Sequence, residues 1–394
     1  MLAAIGSGGQ MPSFQKTRLG EEISFIWSLG GSLPAGTGGS ENYTVGHVRE
    51  LSRRGIRAQI VTIGLGTADG RDEFPGVPFR SLATIEEIGE LDGVVIFVSE
   101  FPMVATKRPS FQMLHIPPPT READRRRVAA TMRDRALIAT SRFSAGLWAD
   151  FLDVDTEAIG IVYPYAERCF SATVRPASSG SEVRILYAGR LSPEKGVYTL
   201  LAMLDLDLTS PDRSFTCTAT TAGGDKPQGR RIERVLEAHP NVRLVPKCTT
   251  PGAMADLMAR HDIVVMPSTG QYWHETFGIV SIEAQHAGCR VVASDDGGLP
   301  ETDCGSITLV APDAPEALAQ GILDAFSRGP VRPDVRRSAA LRFTIDDSVD
   351  LLLDILSREP RPTPATVVRE LESLAQLPPA DDRPKPEALS ALPA

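Results

Sequence analysis

The chain has 394 residues, 42% of them apolar and 23% charged. That is material for two or three domains, two being the simpler division, and it excludes a wholly disordered chain, a collagen or a coiled-coil rod. Lys and Arg number 41 against 50 Asp and Glu, a net charge of -9, which argues against a polynucleotide as the main partner. No run approaches the ~18 apolar residues of a membrane span, and residues 1–5 lack the basic start and apolar core of a signal peptide, so a cytoplasmic protein is expected. Cys169, Cys217, Cys248, Cys289 and Cys304 are odd in number and widely spaced, and read as buried thiols rather than a disulfide framework or a zinc site.

The first aliphatic run is 23–29. It is followed by 58–63, 94–98, 111–116, 136–140 and 159–163. Most are apolar almost throughout, the mark of strands buried on both faces of a parallel sheet. Between the first two, 41–54 sets Val45, Val48 and Leu51 on one helical face and ends at Gly55. The very basic stretch 120–135 opens with acids and is expected as a solvated helix. After an aperiodic linker at 172–181 the scheme repeats. Strands are expected at 183–188, 214–220, 242–246, 263–266, 290–293 and 306–310, with helices at 197–204, 230–239, 251–260, 279–287 and 315–327. Alternation of this kind implies βαβ units, hence an α/β chain of two doubly wound parallel-sheet domains, 1–174 and 182–343. A helix at 346–357 falls in a short segment, 344–359. Residues 360–394 hold 8 of the 31 prolines and read as a largely disordered tail with one weak helix at 365–374.

In doubly wound sheets, ligands bind beyond the carboxyl ends of the strands, beside helix N-termini. Four turns occupy such places. The first, 30–41, has glycines at 30, 31, 36, 38 and 39, so backbone and helix amides can close on an anion. No Gly-Lys-Ser/Thr follows, so it is not a Walker A loop, and a merely flexible loop is the plain alternative. The second, 189–196, carries Arg190 and Lys195, a planar fork and a mobile point charge that together suit a diphosphate, unless Glu194 simply pairs with one of them. The third, 267–278, leads straight into a helix. Glu275 lies in the loop and Glu283 just over one turn into the helix, so both carboxylates can face one pocket across the amides of 277–279. Carboxylates accept from sugar hydroxyls and amides donate to phosphate, though two ordinary surface acids would look the same. The fourth, 295–301, has Gly297-Gly298, which either closes on a ligand or makes a turn.

At these residues the sequence resembles the GT4-type retaining glycosyltransferases, the glycosyl transferases group 1. The resemblance rests on Gly-Arg-Leu-Ser-Pro-Glu-Lys-Gly at 189–196, on Glu275-Thr-Phe-Gly-Ile-Val-Ser-Ile-Glu283-Ala with its two glutamates eight apart, on Ala-Gly-Cys-Arg-Val-Val-Ala-Ser at 287–294, and on Gly297-Gly298-Leu-Pro-Glu301. Gly38-Gly39-Ser-Glu41 and Ile138-Ala-Thr-Ser-Arg-Phe-Ser144 resemble the family's N-terminal motifs, and the match runs in order over about 22–357.

The resemblance implies a GT-B fold, two Rossmann-like domains facing a cleft, and transfer of a sugar from a nucleoside-diphosphate sugar to an acceptor hydroxyl. It implies that Arg190 and Lys195 hold the donor diphosphate and that Gly38 and Gly39 cover it. Glu283 then takes the ribose hydroxyls, Glu275 binds the transferred sugar with the Phe277, Gly278 and Ile279 amides behind it, and the base stacks at 247–252. His115, closing the run 111–116, is expected to face the transferred sugar, although a lone histidine in an apolar strand is also a common core residue. No cofactor or metal is expected, since the cations take the metal's place and no Asp-x-Asp loop appears. Two departures stand out: Tyr163-Pro-Tyr-Ala-Glu167 where the family often has Asn-Gly, and the long first loop at 30–37. A nucleotide-sugar epimerase of similar build and a non-catalytic nucleotide-sugar binder are the alternatives. A dehydrogenase is disfavoured because Gly36, Gly38 and Gly39 do not space as G-x-G-x-x-G. Donor sugar, base, acceptor and oligomeric state are not legible.

Overall fold

The computed structural model describes residues 21–33, 38–98, 100–108, 110–132, 135–176, 182–206, 214–224, 226–271 and 273–358. The expected tail and its weak helix, part of the linker and residues 34–37 of the glycine loop lie outside these. In the first half the strands are β1 (Ile23–Leu29), β2 (Ala58–Ile63), β3 (Phe79–Leu82), β4 (Val94–Phe97), β5 (Ser110–Leu114), β6 (Arg135–Ala139) and β7 (Gly160–Ile161). Its helices are α1 (Gly39–Arg53), α2 (Glu122–Thr131), α3 (Arg142–Leu152) and α4 (Arg168–Ala172). The second half adds β8 (Glu182–Tyr187), β9 (Ser214–Thr220), β10 (Val242–Val245), β11 (Ile263–Met266), β12 (Arg290–Ser294) and β13 (Ile307–Val310). Its helices are α5 (Val197–Leu204), α6 (Pro227–Ala238), α7 (Pro251–Ala259), α8 (Ile279–His286), α9 (Pro315–Ser327), α10 (Pro333–Ala339) and α11 (Ile345–Ser357).

The strands form two sheets, β3-β2-β1-β4-β5-β6-β7 and β10-β9-β8-β11-β12-β13, with every pairing parallel. β2, β5, β6 and β11 are buried along their whole length, as expected of strands covered on both faces. In each sheet the chain leaves the first strand to one side and returns on the other, so β1/β4 and β8/β11 are switch points with crevices at their carboxyl ends.

Some elements differ from expectation. β3 lies at a sheet edge, exposes Arg80 and buries only Leu82, so no apolar run marks it. α2 is not simply solvated: Val128 and Ala129 share a core with Trp148 of α3. Two cysteines are not fully buried, Cys169 and Cys248. α11, following the second sheet in sequence, packs on the first. Its Val349, Leu352 and Leu356 join Phe25, Val45 and Val48 in one core. Ser348 Oγ donates to the Tyr163 carbonyl at 2.6 Å, and Asp346 meets Arg53 at 3.1 Å and Arg168 at 2.7 Å.

Candidate active site

The starts of α1 and α8 and the loops after β8, β10 and β11 enclose a cleft of about 460 Å³ between the two sheets. All ten residues singled out in the sequence line it: Gly38, Gly39, His115, Arg190, Lys195, Glu275, Phe277, Gly278, Ile279 and Glu283. They come from four separate segments, and only folding brings them together.

The turn after β8 is fixed by Gly196, whose φ of +69° is easy for glycine alone. A Cβ there would run into the Pro267 carbonyl, so the turns after β8 and β11 touch backbone to backbone. Lys195 ion-pairs with Glu275 across this contact, with Lys195 Nζ donating to Glu275 Oε2. Arg190 lies 3.6 Å from Glu194, which also takes the Ser192 hydroxyl at 2.6 Å. Glu194 therefore pairs with Arg190, leaving Lys195 to the cleft carboxylate.

Gly278 caps α8 at φ +98° with no side chain of its own, so the amides that open the helix meet the cleft. Such amides carry partial positive charge. The start of α1 faces them. A Cβ on Gly39 would lie 2.7 Å from Ile279 Cδ1, so glycine is what lets the two helix starts approach. Gly297 and Gly298 do not contact the cleft. They press on the backbone of 275–277, and the Gly298 amide donates to the Glu275 carbonyl at 2.7 Å. The fourth turn thus supports the third.

His115 follows β5 immediately. Its ring sits edge-on to Tyr43 at 5.0 Å, and its Nε2 is buried without a partner in the protein. Burial, with a smaller push from His47, lowers its pKa to about 3, so the imidazole is neutral at ordinary pH. Glu283 is pushed the other way. Burial, then the neighbouring Glu167 carboxylate, raises it to about 8.

A set of bonds missed in the sequence locks the two halves around this cleft. Ser141 Oγ donates to the Thr276 carbonyl at 2.5 Å, and Thr276 Oγ1 donates to the His115 carbonyl at 2.9 Å. Thr276 lies between Glu275 and the Phe277 amide, so the loop that carries both is bolted to the opposite wall. The Glu301 carboxylate accepts from the first amides of α3, Arg142 at 3.0 Å and Phe143 at 2.8 Å, and from the Tyr163 hydroxyl at 2.9 Å. The motifs holding Ser141 and Glu301 were visible, but their bonds to Thr276 and Arg142, across 135 and 159 residues, have no sequence signal. Thr140 and Thr220, which also line the cleft, were not singled out. Cys248 and Thr250, in the stretch expected to stack a base, line it too. Among the described residues no cluster of three metal-ligating side chains occurs, and no helix is long and apolar enough to cross a membrane.

Residues 182–328 match the family model for glycosyl transferases group 1. A D-inositol 3-phosphate glycosyltransferase of Jonesia denitrificans is 34% identical over 191 residues, 44% of this chain and 42% of the relative. A glycogen synthase of Mycobacterium tuberculosis is 32% identical over 226 residues, 55% of this chain and 49% of the relative. The chain thus spans half or less of the curated relatives it matches. Among solved structures, a glycosyltransferase from Rickettsia africae superposes with a TM-score of 0.67 at 18% identity, covering 85% of this chain and 98% of that one. Anabaena HepE, in complex with UDP-glucose, gives 0.59 at 17% identity, covering 91% and 100%. The fold is GT-B, and residues 182–328 form a glycosyl transferases group 1 domain.

Proposed function

We propose that this chain, built on that domain and that fold, is a retaining glycosyltransferase moving a sugar from a nucleoside-diphosphate sugar to an acceptor hydroxyl. The observation that carries the reading is the single cleft in which two cations, two helix starts, two glutamates and a neutral histidine meet from both halves. HepE, of the same fold, was solved with UDP-glucose.

Charge develops on the leaving diphosphate as the sugar departs. Arg190, Lys195 and the amides opening α8 and α1 stabilise it, and such preorganised donors are commonly the largest contribution to catalysis. Lys195, bonded to Glu275, sits where phosphate and sugar join. Glu275 accepts from hydroxyls of the transferred sugar, and Glu283 from the ribose. His115, kept neutral, offers Nε2 to a sugar hydroxyl without adding charge. The departing phosphate oxygen takes the acceptor's proton on the same face, so no glycosidase-like carboxylate pair is needed. We propose no cofactor and no metal ion, because the two cations and the helix amides supply the positive charge.

Thermal shift against a panel of nucleotide sugars tests the donor. A ligand at ~100 times its dissociation constant adds ~2.7 kcal/mol. Mass spectrometry of acceptor mixtures and NMR of the product anomer test transfer and retention. If no nucleotide sugar stabilises the protein, the reading is wrong. Epimerised sugar released without an acceptor would mark an epimerase instead.

A further inference from the structure

A buried hydroxyl without a partner is costly, so one lining a cavity points to what the cavity holds. Among the described residues four buried side-chain polar atoms have no partner in the protein: Thr62 Oγ1, His115 Nε2, Thr140 Oγ1 and Thr220 Oγ1. All but Thr62 line the cleft, and Thr220 alone belongs to the second sheet.

Thr220 ends β9 and is 1% exposed. Side chains alternate along a strand, so Thr216, Thr218 and Thr220 share one face, while Cys217 and Ala219 enter the core on the other. The three threonines are treated differently. Thr216 donates to Glu182 at 2.5 Å. Thr218 lies 2.9 Å from His261 Nε2, and since His261 Nδ1 is spent on the Leu257 carbonyl at 2.8 Å, Nε2 accepts the Thr218 proton. Only the threonine at the cleft has nothing.

Its place in the sheet says which part of a ligand it meets. β9 lies between β8 and β10. Ala219 pairs in register with Tyr187, two residues before the turn that carries Arg190. Thr220 pairs with Val245, two residues before Lys247. Thr220 thus stands between the diphosphate cations and the turn after β10, and of the cleft lining that follows β9 and β10, Ala222, Cys248, Pro251 and Met254 are mainly apolar while Lys247 and Thr250 are polar. A flat ring fits such a lining, and Thr220 is the buried hydroxyl left for its polar edge.

We propose that Thr220 is a specificity-determining residue, its Oγ1 hydrogen-bonding the polar edge of the donor's nucleobase. The inference rests on the cleft being a nucleoside-diphosphate-sugar site. A site that bonds a polar group rejects analogues lacking it, because its own group is then left buried and unpaired.

Thr220→Val keeps the shape and removes the hydroxyl. Calorimetric titration of wild type and variant with UDP, GDP, ADP, CDP, TDP and inorganic pyrophosphate tests the idea. Wild type should prefer one diphosphate. The variant should lose about three- to tenfold in affinity for it, the range of one neutral hydrogen bond, and the preference over the others should narrow by the same factor. Pyrophosphate affinity should be unchanged. Thr220→Ser should restore the preference, and the unliganded valine variant should melt no lower than wild type. A valine variant that keeps the wild-type preference and affinities overturns the inference. Equal losses for every diphosphate and for pyrophosphate overturn it too, moving the hydroxyl to the phosphates. A wild type that binds none of the nucleoside diphosphates overturns the donor reading itself, and this inference with it.

Discussion

Opening the cleft must break the bonds that Glu301 makes. Its carboxylate accepts from two α3 amides and from Tyr163, all on the opposite half. A hydrogen bond to a charged group contributes ~1.5–3 kcal/mol net, and an anion at a helix start ~0.3–1 kcal/mol more. On opening, all four groups regain water, and Glu301 is half-buried to begin with, so the lower ends of these ranges apply. Glu301→Gln keeps one acceptor oxygen and loses the charge. We expect it to weaken the closed form by about 2 kcal/mol, a ~30-fold shift in the closed-to-open ratio at ~1.4 kcal/mol per tenfold. Small-angle scattering should show a larger radius of gyration, and kcat/KM should fall with little loss of melting temperature. Tyr163→Phe removes one of the same bonds, so the double variant should fall short of the sum of the singles. Unchanged scattering and kcat/KM in Glu301→Gln, or strict additivity with Tyr163→Phe, would refute the latch.

Gly196→Ala should lose about 3 kcal/mol or more in urea unfolding, because an L-residue resists positive φ and its Cβ would strike Pro267. An unchanged midpoint would mean the two turns are not in contact. Arg190→Ala and Lys195→Ala should each weaken nucleoside diphosphate binding by about tenfold or more, read by calorimetry, and lower turnover with it. Unaltered affinity in both would remove the diphosphate from this end of the cleft. Glu283 ionises near pH 8 in the fold against 4.5 ordinarily, so the unfolded chain gives up that proton first. Unliganded wild type should therefore lose stability relative to Glu283→Gln as pH rises from about 4.5 through 8, and parallel melting curves would contradict this.

How much was legible follows from how local each signal is. Strands buried on both faces read as aliphatic runs, and the four glycine-bearing turns follow such runs. β3 was invisible because an edge strand with one buried residue has no pattern. α3 hid behind its own motif, and its buried Trp148, whose Nε1 donates to the Ile116 carbonyl at 2.9 Å and steadies the turn beside His115, declares nothing in sequence. Lys195 reaches Glu275 across the place where Gly196 presses two turns together, a contact no local pattern announces. The neutrality of His115 and the raised pKa of Glu283 arise from burial, which only the folded chain supplies.

The return of α11 to the first sheet has a consequence for how the chain comes to exist. The first half is translated first, but Val45, Val48 and Phe25 wait for Val349, Leu352 and Leu356 to cover them. At ~5–20 residues per second, roughly ten to forty seconds separate the end of the first sheet from the arrival of its last helix. Over that interval the nascent first half shows an apolar strip that a chaperone can hold. For the same reason, cutting the chain in the linker should not yield two self-sufficient halves, because the leading fragment would lack the last layer of its own core.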